Sequence, residues 1–363
     1  MELRIAKLMR VNAWWNTIVP QVLGWIYFSF LSSVVYGAQH IIPCEPNGGS
    51  AYLCPAIFFF ISLVSIAGFG YVFNDFCDVE TDMLAGKPNS IGKLALLWRI
   101  MLISGSILTG LCAWYQLNQD NHIRGSNMML ANFLFAAQII ALVVYSANPV
   151  RLKDRAELGI VVDAFYGHLN PVMISICVFG FESYWQIGKV WDYLFVSLLV
   201  IVCSIKGIRN ILLHQIEDRK KDEAAGLNTA VIKYGPWRVI NFINYYLFPA
   251  EIFFLVCLMV IMSIHIPPLI IPLIFFAIIS YLKMSGWKIG YADRRLLEFK
   301  FTYFMNDFYE GWLPVFMLIT LSVYRHEFVF LLILHLIFFP KFIMNLFKDM
   351  KKIRENFKIE EDY

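Results

Sequence analysis

The chain has 363 residues, of which 59% are hydrophobic, 17% aromatic and only 16% charged. A soluble core of ordinary size cannot hide that much apolar surface, which excludes a soluble enzyme and makes lipid the solvent. The net charge of +3 is accounted for by loops and termini, so no nucleic-acid partner is expected.

In chain order, Met1 to Arg10 is short and basic, and the apolar run behind it is too long and too aromatic for a cleaved signal, so it reads as a first span. Ten mostly apolar runs, at 12–37, 51–76, 94–116, 127–147, 158–181, 190–213, 239–263, 266–283, 309–324 and 327–345, are long enough to cross or nearly cross a hydrocarbon core of about 30 Å. All should be helices, because lipid offers no partner to an open backbone. The expected fold is an all-α, polytopic membrane bundle of nine to ten transmembrane helices. It reads as one domain over residues 1–345, followed by a basic tail, 346–363. Phe342 to Phe357 mixes Phe and Ile with Lys and Arg and suits either a helix on an anionic membrane surface or a solvated tail.

Both termini, the loops after even-numbered spans and the inner ends of spans 8 and 10 together carry 24 Lys and Arg, whereas the opposite side carries only Arg124, Lys189 and Arg325. The positive-inside rule then places both termini in the cytoplasm. Seven cysteines show no metal-type spacing; Cys44 and Cys54 share an outer loop where a disulfide could form in an oxidising compartment.

Even-numbered spans run inward, so spans 2, 4 and 6 end on the cytoplasmic face, and each end carries a motif. Span 2 finishes in Asn74-Asp75-x-x-Asp78-x-x-x-Asp82, whose side chains fall within an arc of roughly 100° on a helix. Three carboxylates and an amide on one face repel each other without a cation, and hard oxygen ligands of this kind suit Mg²⁺ bridged to phosphate. Taken alone the cluster also reads as a solvated acidic helix end. Span 6 continues into His214-Gln215-x-x-Asp218-x-x-x-Asp222. Two acidic turns facing one another across a bundle could hold a diphosphate between them.

Span 4 ends in Tyr145-Ser146-x-x-Pro149-x-Arg151-x-Lys153. The proline stops the helix, and the cations beyond it stand where a phosphate needs donors, though they also serve as positive-inside anchors. Lys206, Asn210, His214 and Asp218 follow four-residue steps and form a slanted polar stripe on span 6, with Arg209 on the opposite side from Asp218. Lys206 could reach a diphosphate or an acceptor. Asp163 and His168 in span 5 are candidates for acceptor recognition or proton removal, the alternative being a satisfied buried pair. Asn306, Asp307 and Glu310 open span 9, where acids are favoured on helix-dipole grounds alone.

These three signatures, about 70 residues apart on spans 2, 4 and 6, resemble the UbiA superfamily of intramembrane prenyltransferases over residues 10 to 240. The resemblance implies a bundle around a cavity open sideways to lipid, with magnesium and an isoprenoid diphosphate under a cytoplasmic cap. It also implies roles: Asp75, Asp78 and Asp82 from one side and Asp218 and Asp222 from the other as metal ligands, Asn74 with them on the diphosphate, and Tyr145, Arg151 and Lys153 steadying the departing charge. Arg10, before Trp14 and Trp15, is similar to the family's opening pattern. His214 and Gln215 stand where many relatives carry Asn or Asp, which points to an unusual acceptor.

The function expected is Mg²⁺-dependent transfer of an isoprenoid group from an allylic prenyl diphosphate to a small-molecule or lipid acceptor, an aromatic quinone-type precursor first among them. Two other readings fit parts of the pattern: phosphoribosyl or other non-aromatic transfer involving a polyprenyl phosphate on the same fold, and a cation-coupled transporter. Transporters bind near the bilayer midplane between repeats, whereas the acids here gather at one end and no inverted repeat is visible.

Overall fold

A computed structural model of the protein describes residues 6–36, 53–84, 86–120, 127–180, 189–285, 305–348 and 351. Among them every regular element is helical. After a single turn at Val11–Trp14 come α1 (Ile18–Tyr36), α2 (Leu53–Cys77), α3 (Leu96–Gln119) and α4 (Met128–Ser146). Then follow α5 (Ala156–Phe179), α6 (Lys189–Ala224), α7 (Pro236–His265), α8 (Ile271–Ser285), α9 (Leu313–Tyr324), α10 (His326–Phe338) and α11 (Lys341–Lys348).

Local chemistry sets several boundaries. The Asn127 side chain caps α4 by accepting from the Leu130 N–H at 3.2 Å, and α4 stops at Ser146, three residues before Pro149. α6 runs about three turns beyond the apolar run that starts it, because Asp218 to Ala224 continues the helix into water. Among the described residues three wide i→i+5 turns are present: Phe165–Leu169 divides α5, Ile243–Leu247 divides α7, and Phe308–Trp312 precedes α9. Such turns shift the register of the side chains that follow and recur at functional sites.

α2 packs along α3 and α4, α4 against α5, α5 against α6 and α6 against α7, while α1 lies against α5 and α9. The α1–α9 contact is close: a Cβ on Gly24 would stand 3.3 Å from Pro314. The buried interior runs through α1, α5, α6 and α9, with Trp25, Leu31, Ile176, Leu199, Met317 and Leu318 all shielded. Outer helices turn Leu97, Trp98, Ile100, Phe133, Ile140, Phe253 and Tyr246 outward, the inside-out pattern that lipid permits.

Among the described residues seven helices, α1 to α7, are long and apolar enough to cross a membrane, and the protein is an integral membrane helical bundle. Of the last three expected spans, 309–324 is helical throughout, while 266–283 starts late and 327–345 is bent. Prolines account for this: Pro267 and Pro268 open a short 3₁₀ turn that shortens α8, and α10 and α11 meet at 69° beside Pro340, whose ring cannot continue the helix. Cys54 is exposed and unbonded, while Cys44, and the tail beyond Lys348 apart from residue 351, lie outside the described residues.

Candidate active site

α2, α4, α5 and α6 enclose, with the turn before α1 and the wide turn before α9, a cavity of about 490 Å³. Its walls divide by chemistry. Phe59, Leu63, Ile66, Trp114, Phe135, Leu142 and Ile174 make an apolar part, with Trp114 and Phe135 stacked at 4.2 Å. Arg10, Tyr71, Asn74, Tyr145, Asp163, His168, Asn210, His214, Asn306 and Glu310 make a polar part.

The α2 motif is held rigid at one side of this polar part. The backbone keeps its helical bonding through it, with the Asp78 N–H donating to Asn74 O at 3.0 Å and the Asp82 N–H to Asp78 O at 2.8 Å. Each carboxylate meets a different partner. Arg10 stands 3.0 Å from Asp75, Lys153 2.5 Å and Arg151 2.9 Å from Asp78, and Asn89 donates to Asp82 at 2.9 Å. Asn74 accepts from both Ser146 and Lys153 at 2.9 Å. Arg10 and Arg151 both adopt left-handed backbone, with φ of 48° and 36°, a conformation that costs energy for a residue with a Cβ and clusters at ligand clamps.

Electrostatics outside the membrane follow from these contacts. Burial pushes the Lys153 ammonium below the ordinary lysine range, and the neighbouring Asp78 only partly restores it. Burial acts the same way on Arg151, but Asp154 and Asp78 outweigh it and raise that guanidinium.

The α6 motif is joined to the site by the loop after α2. Lys87 in that loop lies 2.8 Å from Asp222 and 3.6 Å from Asp218. Burial alone would lower its pKa; the hydrogen bond to Asp222 and the charges of Asp222, Asp218 and Asp82 raise it instead. His214 is exposed and 4.0 Å from Asp218.

Of the residues singled out by the sequence, the cavity collects Arg10, Asn74, Tyr145, Asp163, His168 and His214, and contacts with Arg10 and Asn74 bring Asp75, Lys153 and through it Asp78 and Arg151 to its edge, while Asp82 bonds to Asn89. Asp163 accepts from the Tyr166 hydroxyl at 2.7 Å, and the Tyr166 ring meets Tyr145 edge-on at 5.1 Å. Two residues turn elsewhere. Lys206 is buried, bonds to Gln21 and lies 4.6 Å over the Tyr309 ring. Gln215 is buried and accepts from the Ala230 N–H at 3.1 Å, so it braces the chain after α6.

Sequence reasoning missed Lys87 and Asn89, whose loop carries no helical periodicity to flag it. It weighed Asn306 and Glu310 only as acids opening a helix. Both line the cavity: Asn306 accepts from Arg209 at 2.7 Å, and Glu310 pairs with Lys341 at 2.7 Å. Arg209 itself is fully buried against Glu251 of α7 at 2.5 Å.

Among the described residues, no three acidic, histidine or cysteine side chains converge on one point. The donor set nevertheless fits a hard divalent cation. Magnesium commonly takes one or two carboxylates and completes its shell with water and substrate phosphate. Here the buried Asp75 Oδ1 has Arg10 beside it but no hydrogen-bond donor aligned on it, and lysine ammonium groups rest on Asp78, Asp218 and Asp222.

The sequence matches the model of the UbiA prenyltransferase family over residues 46–306. No curated protein sequence matches the chain. Among solved structures, a UbiA homolog from Archaeoglobus fulgidus bound to DMAPP and Mg²⁺ superposes with a TM-score of 0.56 at 15% identity, over 88% of this chain and 99% of that one. The same homolog bound to GPP and Mg²⁺ gives 0.54 at 15% identity, over 86% and 99%, and bound to Cd²⁺ gives 0.52 at 16%, over 86% and 99%. Identities this low speak for the fold, and the family model speaks for descent. The chain belongs to the UbiA prenyltransferase family and is an integral membrane transferase of prenyl groups.

Proposed function

We propose that the protein transfers an isoprenoid group from an allylic prenyl diphosphate to an aromatic, quinone-type acceptor, with Mg²⁺ as cofactor and its charged mouth on the cytoplasmic face. The observation that carries the reading is one cavity that joins a mouth of paired acids and bases to an apolar, aromatic interior. A diphosphate suits the first part and an isoprenoid tail the second. The Archaeoglobus homolog, on the same fold, was captured with such donors and a divalent cation.

When bound, the cation would be held by Asp75, Asp78 and Asp82 on one side and Asp218 and Asp222 on the other, and would neutralise charge on the diphosphate oxygens. Arg151 and Lys153 supply further positive charge as the C–O bond breaks and its electron pair departs with the diphosphate. The carbocation left behind faces the rings of Tyr71, Tyr145 and Tyr166. The apolar wall excludes water, which would otherwise trap it. An acceptor carbon then forms the new bond and loses its proton to Asp163, a base on the cavity wall fixed by Tyr166. Gln215, one of two residues that could have served a sugar donor, is committed to Ala230, which favours an allylic donor over a phosphoribosyl one.

The test uses purified protein with Mg²⁺, geranylgeranyl diphosphate and membrane extract as acceptor source. Pyrophosphate release should stop in excess EDTA and fall about 10²-fold or more in Asp78→Asn. Incorporation of label from phosphoribosyl diphosphate into lipid, with allylic donors left intact, would replace this reading with the phosphoribosyl one. Orientation is tested separately: a tag after Tyr363 should resist an impermeant reagent applied to intact cells.

A further inference from the structure

The turn that carries Arg10 to the cavity mouth is too short to hold itself. Val11–Trp14 is a single helical turn, and a helix of that length is not stable alone. Arg10, at its head, takes left-handed backbone with φ of 48°, which persists only where the surrounding structure fixes it. α2 supplies part of that hold from one side. Arg10 stands 3.0 Å from Asp75, and the Met9 side chain fills the space that a Cβ on Gly68 would take. The other hold comes from the far end of the chain.

α10 and α11 meet at 69° beside Pro340, and the bend deprives the last carbonyls of α10 of the amide partners that a continuing helix would supply. One of them, Phe338 O, accepts the Trp15 indole N–H at 2.9 Å across 323 residues of sequence. The next residue, Phe339, stacks its ring on Trp15 at 5.3 Å and is buried with Trp14 and Val19. The elbow is itself anchored: His335 bonds to Tyr27 of α1 at 3.1 Å, Lys341 pairs with Glu310 at 2.7 Å, and Phe342 covers Gly311. It lies beyond residue 306, where the match to the family model ends.

We propose that the α10–α11 elbow, acting through Trp15, positions Arg10 at the cavity mouth, which makes Trp15 a positioning residue for the reaction. The chain between them is one bonded unit, with the Ala13 N–H donating to Arg10 O at 2.8 Å and the Trp15 N–H to Val11 O at 2.9 Å. A shift of Trp15 is therefore passed to Arg10. The role rests on the reading above that a diphosphate occupies this mouth. There the Arg10 guanidinium, which meets Asp75 by charge without an aligned hydrogen bond, can turn to a phosphate oxygen once a cation takes that carboxylate.

Trp15→Phe keeps a ring against Phe339 and removes the N–H. Pyrophosphate release from geranylgeranyl diphosphate, with Mg²⁺ and membrane extract as acceptor source, should show a kcat/KM for the donor about fivefold lower, the worth of one hydrogen bond. The melting temperature should stay nearly unchanged. In an Arg10→Ala background the same change should cost less than about twofold, because the group it positions is gone. Equal losses in both backgrounds, or no loss with Arg10 present, overturn the proposal. Hydrogen exchange gives a second readout: amides of residues 11–17 should exchange about fivefold faster in Trp15→Phe, with those of α3 unchanged. Unchanged exchange at 11–17 also overturns the proposal, and it decides alone if Arg10→Ala does not fold. If the wild type leaves the donor intact, the proposed reaction falls, and exchange still decides whether the elbow holds the turn.

Discussion

Two sets of charges on α6 obey different rules. In the middle of the helix, Arg209 is fully buried, grips Glu251 of α7 through two nitrogens at 2.5 and 3.0 Å, and reaches Asn306 at 2.7 Å. At its end, Asp218 is half-buried and Asp222 buried, and both lie beside the loop cation Lys87, with Lys221 also on Asp218. Arg209 is locked by partners on two other elements, so it behaves as framework. The aspartates have a partner that a competing cation can displace, which is what a site that must bind and release charge requires. Neighbouring charges on one helix can therefore be separated into structural and chemical by how exchangeable their partners are.

The largest expected effect breaks the framework side. Arg209→Leu strands the Glu251 carboxylate at zero exposure, and removing one member of a buried pair costs about 3–5 kcal/mol. Thermal melting in detergent should fall steeply, whereas the double variant Arg209→Met with Glu251→Met should regain most of the loss. Asp218→Asn should do the reverse, leaving melting nearly unchanged while removing activity. Similar melting losses in Arg209→Leu and Asp218→Asn would erase the distinction.

A smaller effect tests exchangeability directly. Lys87 places one positive charge 2.8 and 3.6 Å from the two α6 carboxylates. At such distances, with solvent near, a unit charge is worth about 1 kcal/mol, so Lys87→Ala should tighten Mg²⁺ binding to the substrate-free protein about fivefold. Weaker binding in calorimetry would make Lys87 a brace that orders the loop, and would move Asp218 and Asp222 to the framework side.

The same contrast explains what could be read from the sequence. The spans were legible because lipid demands long apolar helices, and the three motifs were legible because acidic, tyrosine and basic residues repeat at helical intervals near span ends. Arg209 could be placed opposite Asp218 by periodicity alone, but its partner lies 42 residues away on another helix, and no local pattern encodes such a pairing. Lys87 and Asn89 escaped for a related reason, since a loop lacks a period that would show where its side chains return. The wide turn around His168 went unread although Pro171, two residues beyond its end, lacks the N–H that would continue the ordinary i→i+4 bonding. Lys206 points inward as the polar stripe predicts, but Gln21 and Tyr309 take it, and Gln215, outside that stripe, is taken by Ala230.

The smallest expected effect concerns the cations facing α2, where two basic residues share Asp78 yet titrate in opposite senses. Burial leaves Lys153 with a lowered pKa, whereas Asp154 and Asp78 raise that of Arg151 against its burial. A lysine is charged below its pKa, so a lowered value means that Lys153 loses its charge at a lower pH than an exposed lysine would. Its help to the departing diphosphate therefore fades first on the alkaline side, while that of Arg151 persists. An arginine stays protonated throughout the accessible range. Lys153→Arg should accordingly move the alkaline limb of the kcat/KM profile to higher pH, and change the rate near neutrality less than about tenfold, because the positive charge is kept. Arg151→Lys should steepen the alkaline fall by adding a second titrating cation beside Asp78. An alkaline limb that stays at the same pH in Lys153→Arg would assign it to another group and leave Lys153 as a partner of Asp78 without a role in the departing charge.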